Sequence, residues 1–280
     1  MTMTGLAPSV TIDAYGLTDI GKVRKANEDH FIVVDINRTV DLRCGSLSPE
    51  ALINRIGTSS AHLLAVADGV GGGPDGEMAS ERTAAAVLSY VGSTAMCFNG
   101  LDSDREHELL ESLEKTVRGV HGELLAEVPS PNVKSPATTL TLVLLVWPRA
   151  YLVHVGDSRA YVRRKGRVQA LTRDQTFGEY MVAAGAWSDE QATKFRTAET
   201  LASAIGGSEM TPTVGLIDLE PGDSLMLCTD GLTKGVSEER IAEVLALPGD
   251  AKAMAEKLLA DALEAGGTDN ISIIVARGLA

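Results

Sequence analysis

The chain has no excess of positive charge. Its 25 lysines and arginines stand against 38 aspartates and glutamates, a formal net charge of -13 over 280 residues. That balance excludes a nucleic acid or an anionic membrane surface as the main partner. Cysteine is scarce, three residues in all. Cys44, Cys97 and Cys228 are odd in number and lack Cys-x-x-Cys spacing, so neither a disulfide framework nor a zinc knuckle is indicated. A reducing cytosol is the expected setting. No apolar run reaches about eighteen uninterrupted residues, the length of a membrane span, and the first twenty residues lack a charged start followed by a long apolar stretch. The reading is a soluble, cytoplasmic protein, expected to be a monomer.

What is present suffices for a sizeable core: 44% of the residues are hydrophobic, and residues 1–280 read as a single domain with informative segments from 19 to 275. Short apolar runs predict strands at 10–17, 30–36, 62–67, 138–147, 150–156, 159–164, 224–229 and 271–276. Ala, Leu and Glu spaced at three and four predict helices near 76–97, 104–126, 237–246 and 250–265. Strands, a helix pair, more strands and more helices make an α+β order. The architecture expected is two packed antiparallel sheets with helices outside them. The stretch from Asn37 to Ser60, with Gly, Ser and Pro, reads as an inserted connection. Residues 174–213, containing Trp187 and Phe195, read as a mobile flap.

Three phosphate-handling motifs are nearly matched. Gly16 to Val23 fits Gly-x4-Gly-Lys, but Val23 stands where a hydroxyl belongs, so the segment reads as a strand and a tight turn. Gly71 to Gly76 fits Gly-x-Gly-x-x-Gly, yet Asp68 and Asp75 flank it and would repel a pyrophosphate unless a metal lay between. No cysteine is followed by five residues and an arginine: Glu50, Ser103 and Lys234 occupy those positions. With no Asp-x-Asp-x-Thr either, a covalent phosphoenzyme has no carrier.

Four aspartates, Asp29, Asp68, Asp230 and Asp269, each sit where an apolar stretch gives way to Gly, Asn or another acid. Singly, each is ordinary turn chemistry. Together at strand ends they point to one shared ligand, because a buried carboxylate is costly unless a cation or donor meets it. Hard oxygen donors without nearby Cys or His select magnesium, manganese or calcium. Two such ions sharing a carboxylate and a water can clamp a phosphate for in-line attack without a protein nucleophile. Arg24 is the natural bidentate donor for the remaining phosphate oxygens.

The motifs Val23 to Asp29, Val66 to Gly72, Val155 to Arg159, Thr229 to Leu232 and Gly267 to Asn270 resemble, in order, those of the metal-dependent protein phosphatases, the type 2C serine/threonine class and its bacterial branch. Ala137 to Leu140 and Leu171 to Gln175 add weaker likeness. The resemblance implies an αββα sandwich with a binuclear Mn2+ or Mg2+ centre. It implies that Asp68 bridges the ions, that Asp230 and Asp269 complete one of them, and that Asp29 or Glu28 with the Gly69 carbonyl serves the other. Arg24 would hold the phosphate of phosphoserine or phosphothreonine on proteins, in opposition to a serine/threonine kinase. Asp157 corresponds to the ligand of a third, weaker ion. Two departures matter. Lys234 replaces a second acid expected to help hold that third ion, so weak or absent third-ion binding is expected if its side chain points inward. Val70 replaces the histidine that animal relatives use as a general acid, a function worth roughly 10² to 10⁴ in rate. Other readings kept open are a pseudophosphatase that binds phosphoproteins without turnover and a phosphatase of an anti-sigma-factor antagonist.

Overall fold

Leu63 and Ala65 point to one face of their strand, Leu64 and Val66 to the other, and all four are buried. A strand apolar on both faces needs cover on both. In the computed structural model, which describes residues 11–37, 60–71, 74–94, 103–128, 135–192 and 195–279, that cover is a second sheet on one side and helices on the other.

The strands are β1 (Thr11–Asp19), β2 (Asp29–Asn37), β3 (Ser60–Val70), β4 (Ala137–Thr138), β5 (Leu140–Val146), β6 (Arg149–Val155), β7 (Arg159–Arg164), β8 (Arg167–Ala170), β9 (Thr213–Asp218), β10 (Ser224–Cys228) and β11 (Ile271–Leu279). One sheet has the order β1-β11-β10-β7-β8 and the other β2-β3-β5-β6-β9, with β4 paired to the end of β3. Neighbours are antiparallel throughout. Helices α1 (Pro74–Thr94) and α2 (Ser103–Ala126) come between β3 and β4. The short α3 (Phe177–Ala183) and α4 (Asp189–Ala192) lie between β8 and β9, and α5 (Asp230–Thr233), α6 (Glu238–Leu245) and α7 (Ala251–Glu264) between β10 and β11.

Three apolar layers separate these four. Leu64, Val66, Val143 and Leu152 of one sheet meet Ala160, Val162, Leu227 and Ile274 of the other. On the outer face of the first sheet Leu63, Leu142 and Val153 pack on Val87, Val91 and Leu113 of α1 and α2. On the outer face of the second, Met226, Ile273 and Val275 pack on Ile241, Met254 and Leu258 of α6 and α7. The fold is thus the expected α+β sandwich of two antiparallel sheets between helices.

All eight predicted strands form, while β8 and β9 were not foreseen. Both are edge strands: β8 turns only Val168 toward the core, and β9 exposes Val214 and Leu216 while Ile217 packs inward, so neither shows a clear apolar-polar alternation in sequence. The flap segment carries α3, α4 and a 3₁₀ turn at Arg196–Glu199, with Trp187 packed between Phe177 and Phe195 at ring-centre distances of 5.5 and 4.9 Å. The connection predicted between Asn37 and Ser60 lies, apart from its ends, outside the described residues. Among the described residues no helix is long and apolar enough to cross a membrane.

The topology brings distant turns to one rim. Asp29 opens β2 directly opposite Asp68 near the end of β3, Asp230 follows β10, Asp269 precedes β11, and Asp157 lies between β6 and β7.

Candidate functional site

At that rim Arg24, Asp68, Gly69, Asp157, Asp230, Lys234 and Asp269 line a cleft of about 900 Å³, closed on another side by residues 199–204 of the flap segment. Glu28 and Asp29 stand behind it, both buried.

Each acid is held by its backbone or by hydroxyl groups. The Asp68 amide donates to Thr139 Oγ1 at 3.0 Å, and its carbonyl accepts from Thr138 Oγ1 at 2.9 Å. Thr139 Oγ1 in turn lies 2.8 Å from Ser158 Oγ. Asp29 Oδ2 accepts from Thr229 Oγ1 at 2.8 Å and Ser272 Oγ at 2.9 Å. Thr229, Thr138 and Ser158 lie within the motifs but were given no role by them, and Ser272 lies outside them. Their only signal was a hydroxyl inside an otherwise apolar strand end. Asn270 holds the loop before β11 in place: its amide nitrogen donates to the carbonyls of Ile20 and Ala26, and its Oδ1 accepts the Glu28 amide, all at 2.9 Å. Gly231 is obligatory here because a Cβ would strike the Asn270 carbonyl. Gly69 is equally constrained, by the Gly76 backbone at the start of α1 and the Glu28 carbonyl. The Glu28 carboxylate also lies against Gly76.

Two cations already reach into the acids. The Lys234 ammonium lies 2.5 Å from Asp230 Oδ2 and 2.6 Å from Asp269 Oδ2. Arg24 makes a bidentate pair with Asp269, Nε to Oδ1 at 2.7 Å and Nη2 to Oδ2 at 2.8 Å. Lys234 therefore points inward, the orientation on which the expectation of weak third-ion binding depended. Among the described residues no three His, Cys, Asp or Glu side chains form a ready ligand cluster.

The electrostatics nevertheless fit a divalent cation. Burial, reinforced by Asp29, Asp230, Asp157 and Asp269, pushes the Asp68 carboxyl well above the usual range. Burial likewise raises Asp29 to about 7, against its hydroxyl donors, and Asp157 to about 7. Asp230 is raised by burial, with Lys234 opposing. For Asp269 burial is outweighed by hydrogen bonds from Lys234 and Arg24, leaving it below the usual range. Buried Asp29 Oδ1 and Asp230 Oδ1 have no hydrogen-bond partner. Acceptor oxygens left bare among mutually repelling carboxylates are the donor set a hard cation requires. One lysine cannot neutralise them all.

Other residues raised by the motifs are structural. Arg159 makes a bidentate pair with Asp174, both bonds 2.7 Å, tying β7 to the base of the flap segment. His154 is buried and bonded to Thr141 Oγ1 and the Arg173 carbonyl, and His62 pairs with Asp35 at 2.7 Å. Gln175 receives the Gly156 amide on Oε1 and donates to the Thr211 carbonyl, joining the two ends of the flap segment to the Asp157 turn. Gly21, at φ 77°, makes the tight turn after β1. Cys44 and Cys97 lie outside the described residues, and Cys228 is buried and free.

Comparison with known proteins agrees with this geometry. Residues 53–265 match the family model described as Protein phosphatase 2C. The chain is 35% identical over 244 residues to the serine/threonine protein phosphatase PstP of Mycobacterium tuberculosis, an alignment covering 85% of this chain and 45% of PstP. It thus spans about half the length of that curated relative. The crystal structure of the M. tuberculosis phosphatase superposes with a TM-score of 0.74 at 31% identity, covering 97% of this chain and 100% of that one. A structure of the PstP catalytic domain in complex with two manganese ions superposes with a TM-score of 0.73, also at 31% identity and 97% and 100% coverage. With the αββα layers, the rim of acids and a family match over most of its length, the chain belongs to the protein phosphatase 2C family.

Proposed function

We propose that this chain is a Mn2+- or Mg2+-dependent phosphatase of phosphoserine and phosphothreonine in proteins, acting as the counterpart of a serine/threonine kinase. The observation that carries the reading is the meeting of Asp68, Asp230, Asp269 and Arg24 in one cleft, with bare buried carboxylate oxygens at Asp29 and Asp230. The manganese-bound PstP structure supports two ions of that class.

When bound, the two ions supply Lewis acidity to a phosphoryl oxygen and to the attacking water. The protein's own residues do the rest. Asp68, whose carboxylate feels Asp29, Asp230, Asp157 and Asp269, would be shared by the two ions. Asp230 and Asp269 would hold one ion. Asp29, with Oδ2 pinned by Thr229 and Ser272 and Oδ1 bare, would serve the other together with the Gly69 carbonyl, and Glu28 backs that side. Asp157 is a further acid of the cleft. Arg24, 46% exposed at its side chain, would turn its fork from Asp269 to the phosphate, since a planar guanidinium matches two phosphate oxygens. Val70 lines the cleft and offers no proton to the leaving alkoxide, so water would supply it or good leaving groups would be favoured.

The deciding experiment is hydrolysis of a phosphothreonine peptide by chelator-stripped protein, restored separately with Mn2+, Mg2+ and Ca2+. Turnover is expected to vanish on stripping and to return with Mn2+ or Mg2+. Turnover that survives exhaustive chelation would overturn the reading.

A further inference from the structure

Lys234 caps the short helix α5, and its own amide donates to the Asp230 carbonyl at 2.9 Å. That turn returns the side chain over the acid four residues earlier. Other lysines of this chain make the same i,i+4 contact, Lys257 with Asp261 and Lys252 with Glu256, each reaching a single acid on a helix surface. Lys234 differs in being shared: it bonds Asp230 and Asp269 at 2.5 and 2.6 Å, and it lines the cleft. The acids it holds come from the ends of two neighbouring strands, which no surface pair joins.

A purely structural ion pair would close the donor account of its acid. This one leaves Asp230 Oδ1 buried and without a partner, while Asp269 is bonded by two cations at once. The arrangement is a positive charge set among more carboxylate oxygens than it can satisfy. An ammonium and a divalent ion draw on the same lone pairs of Asp230 Oδ2 and Asp269 Oδ2, and neither tolerates the other's charge at such short range.

We propose that Lys234 is a tethered counter-ion that competes with metal for Asp230 and Asp269. It offsets part of the charge of Asp230 and Asp269 in the metal-free protein, and metal loading must break its two ion pairs. This rests on the metal-dependent reading of the site but concerns a residue that such a mechanism does not itself require. The consequence is a site that fills at a higher ion concentration than the same acids would without the lysine, because each loading event works against a built-in cation.

The test is calorimetric titration of the chelator-stripped full chain with Mn2+, wild type against Lys234→Met, which keeps the stem and removes the charge. The variant is expected to bind Mn2+ roughly tenfold more tightly, from the loss of one competing charge at contact distance. Equal or weaker binding by a folded variant would overturn the inference while leaving the phosphatase reading intact. Failure of both proteins to bind Mn2+ would remove the reading and the inference together. Should Lys234→Met not fold, the wild type answers by itself through proton–nitrogen NMR of its lysine ammonium groups. A protected Lys234 signal in chelator is expected to shift or disappear on saturation with diamagnetic Mg2+. A signal unmoved by bound Mg2+ would show that loading does not displace the lysine.

Discussion

Strand β10 carries an aspartate at each end, Asp223 before it and Asp230 after it, and the protein treats the two differently. Asp223 is buried and fully met: Arg164 Nε and Nη2 reach its Oδ2 at 2.9 and 2.6 Å, Nε also reaches Oδ1 at 3.2 Å, and the Glu220 amide adds a bond of 2.8 Å. Asp230 receives Lys234 on one oxygen and nothing on the other. Both are buried acids paired with a base. What separates these two acids is whether the donors are complete, because a buried acceptor left bare is costly unless something else completes it. The ion pair alone would have misidentified the site.

The comparison can be broken most forcefully at the functional end. Asp68→Asn keeps shape and removes charge, so turnover of a phosphothreonine peptide should fall by roughly 10²- to 10³-fold or more. The chelated variant should melt no lower than the chelated wild type, since one repelling carboxylate has gone. A variant with near-wild-type turnover, or one whose metal-free form is clearly destabilised, would place Asp68 with the structural acids. Asp223→Asn is the reverse case. It leaves Arg164 without its acid and should cost about 2 kcal/mol in denaturant unfolding, reduced from the fully buried figure because Arg164 is 34% exposed. Turnover of the folded fraction should be unchanged. A loss of turnover without loss of stability would dissolve the distinction.

The four-layer fold was legible because the apolar runs of β3, β5 and β10 are buried on both faces, and only a sheet-on-sheet arrangement with outer helices provides that cover. β9 was not legible: its apolar residues stand on both faces, Val214 and Leu216 outward and Ile217 inward, so hydrophobicity does not mark the inner one. The acids of the cleft were legible as motif positions, since Asp68, Asp230 and Asp269 each break an apolar strand. Their partners were not. The inward turn of Lys234 depends on α5 being a single helical turn, and the pinning of Asp29 by Ser272 depends on register across the sandwich, which no local pattern encodes. Asp223 shows the same limit from the other side. Its neighbours Gly222 and Ser224 resemble those of a site acid, and only its contact with Arg164 separates it.

The smallest expected effect is a dependence of metal-free stability on pH. Asp29 and Asp157 lie near about 7 in the fold because burial disfavours their charge, against about 4 for an unfolded aspartate. Between about pH 4 and 7 the folded chain therefore holds protons that the unfolded chain has released. With more protons on the native state, stability must fall as pH rises through that window. Asp269, whose shift has the opposite sign, loses its contribution only as pH drops through values below the ordinary aspartate range, outside the window. Chelated protein should thus melt a few degrees higher at pH 5 than at pH 7.5. Saturating Mn2+ should remove or invert the difference, because a bound divalent ion favours the ionised carboxylates that burial penalises. Asp223→Asn removes the Arg164 ion pair, which needs no metal, and should lower both melting temperatures together, whereas Asp29→Asn should flatten the profile. A chelated melting temperature that is flat or rising from pH 5 to 7.5 would mean that the rim of acids is already neutralised without metal, by Lys234 and Arg24 alone.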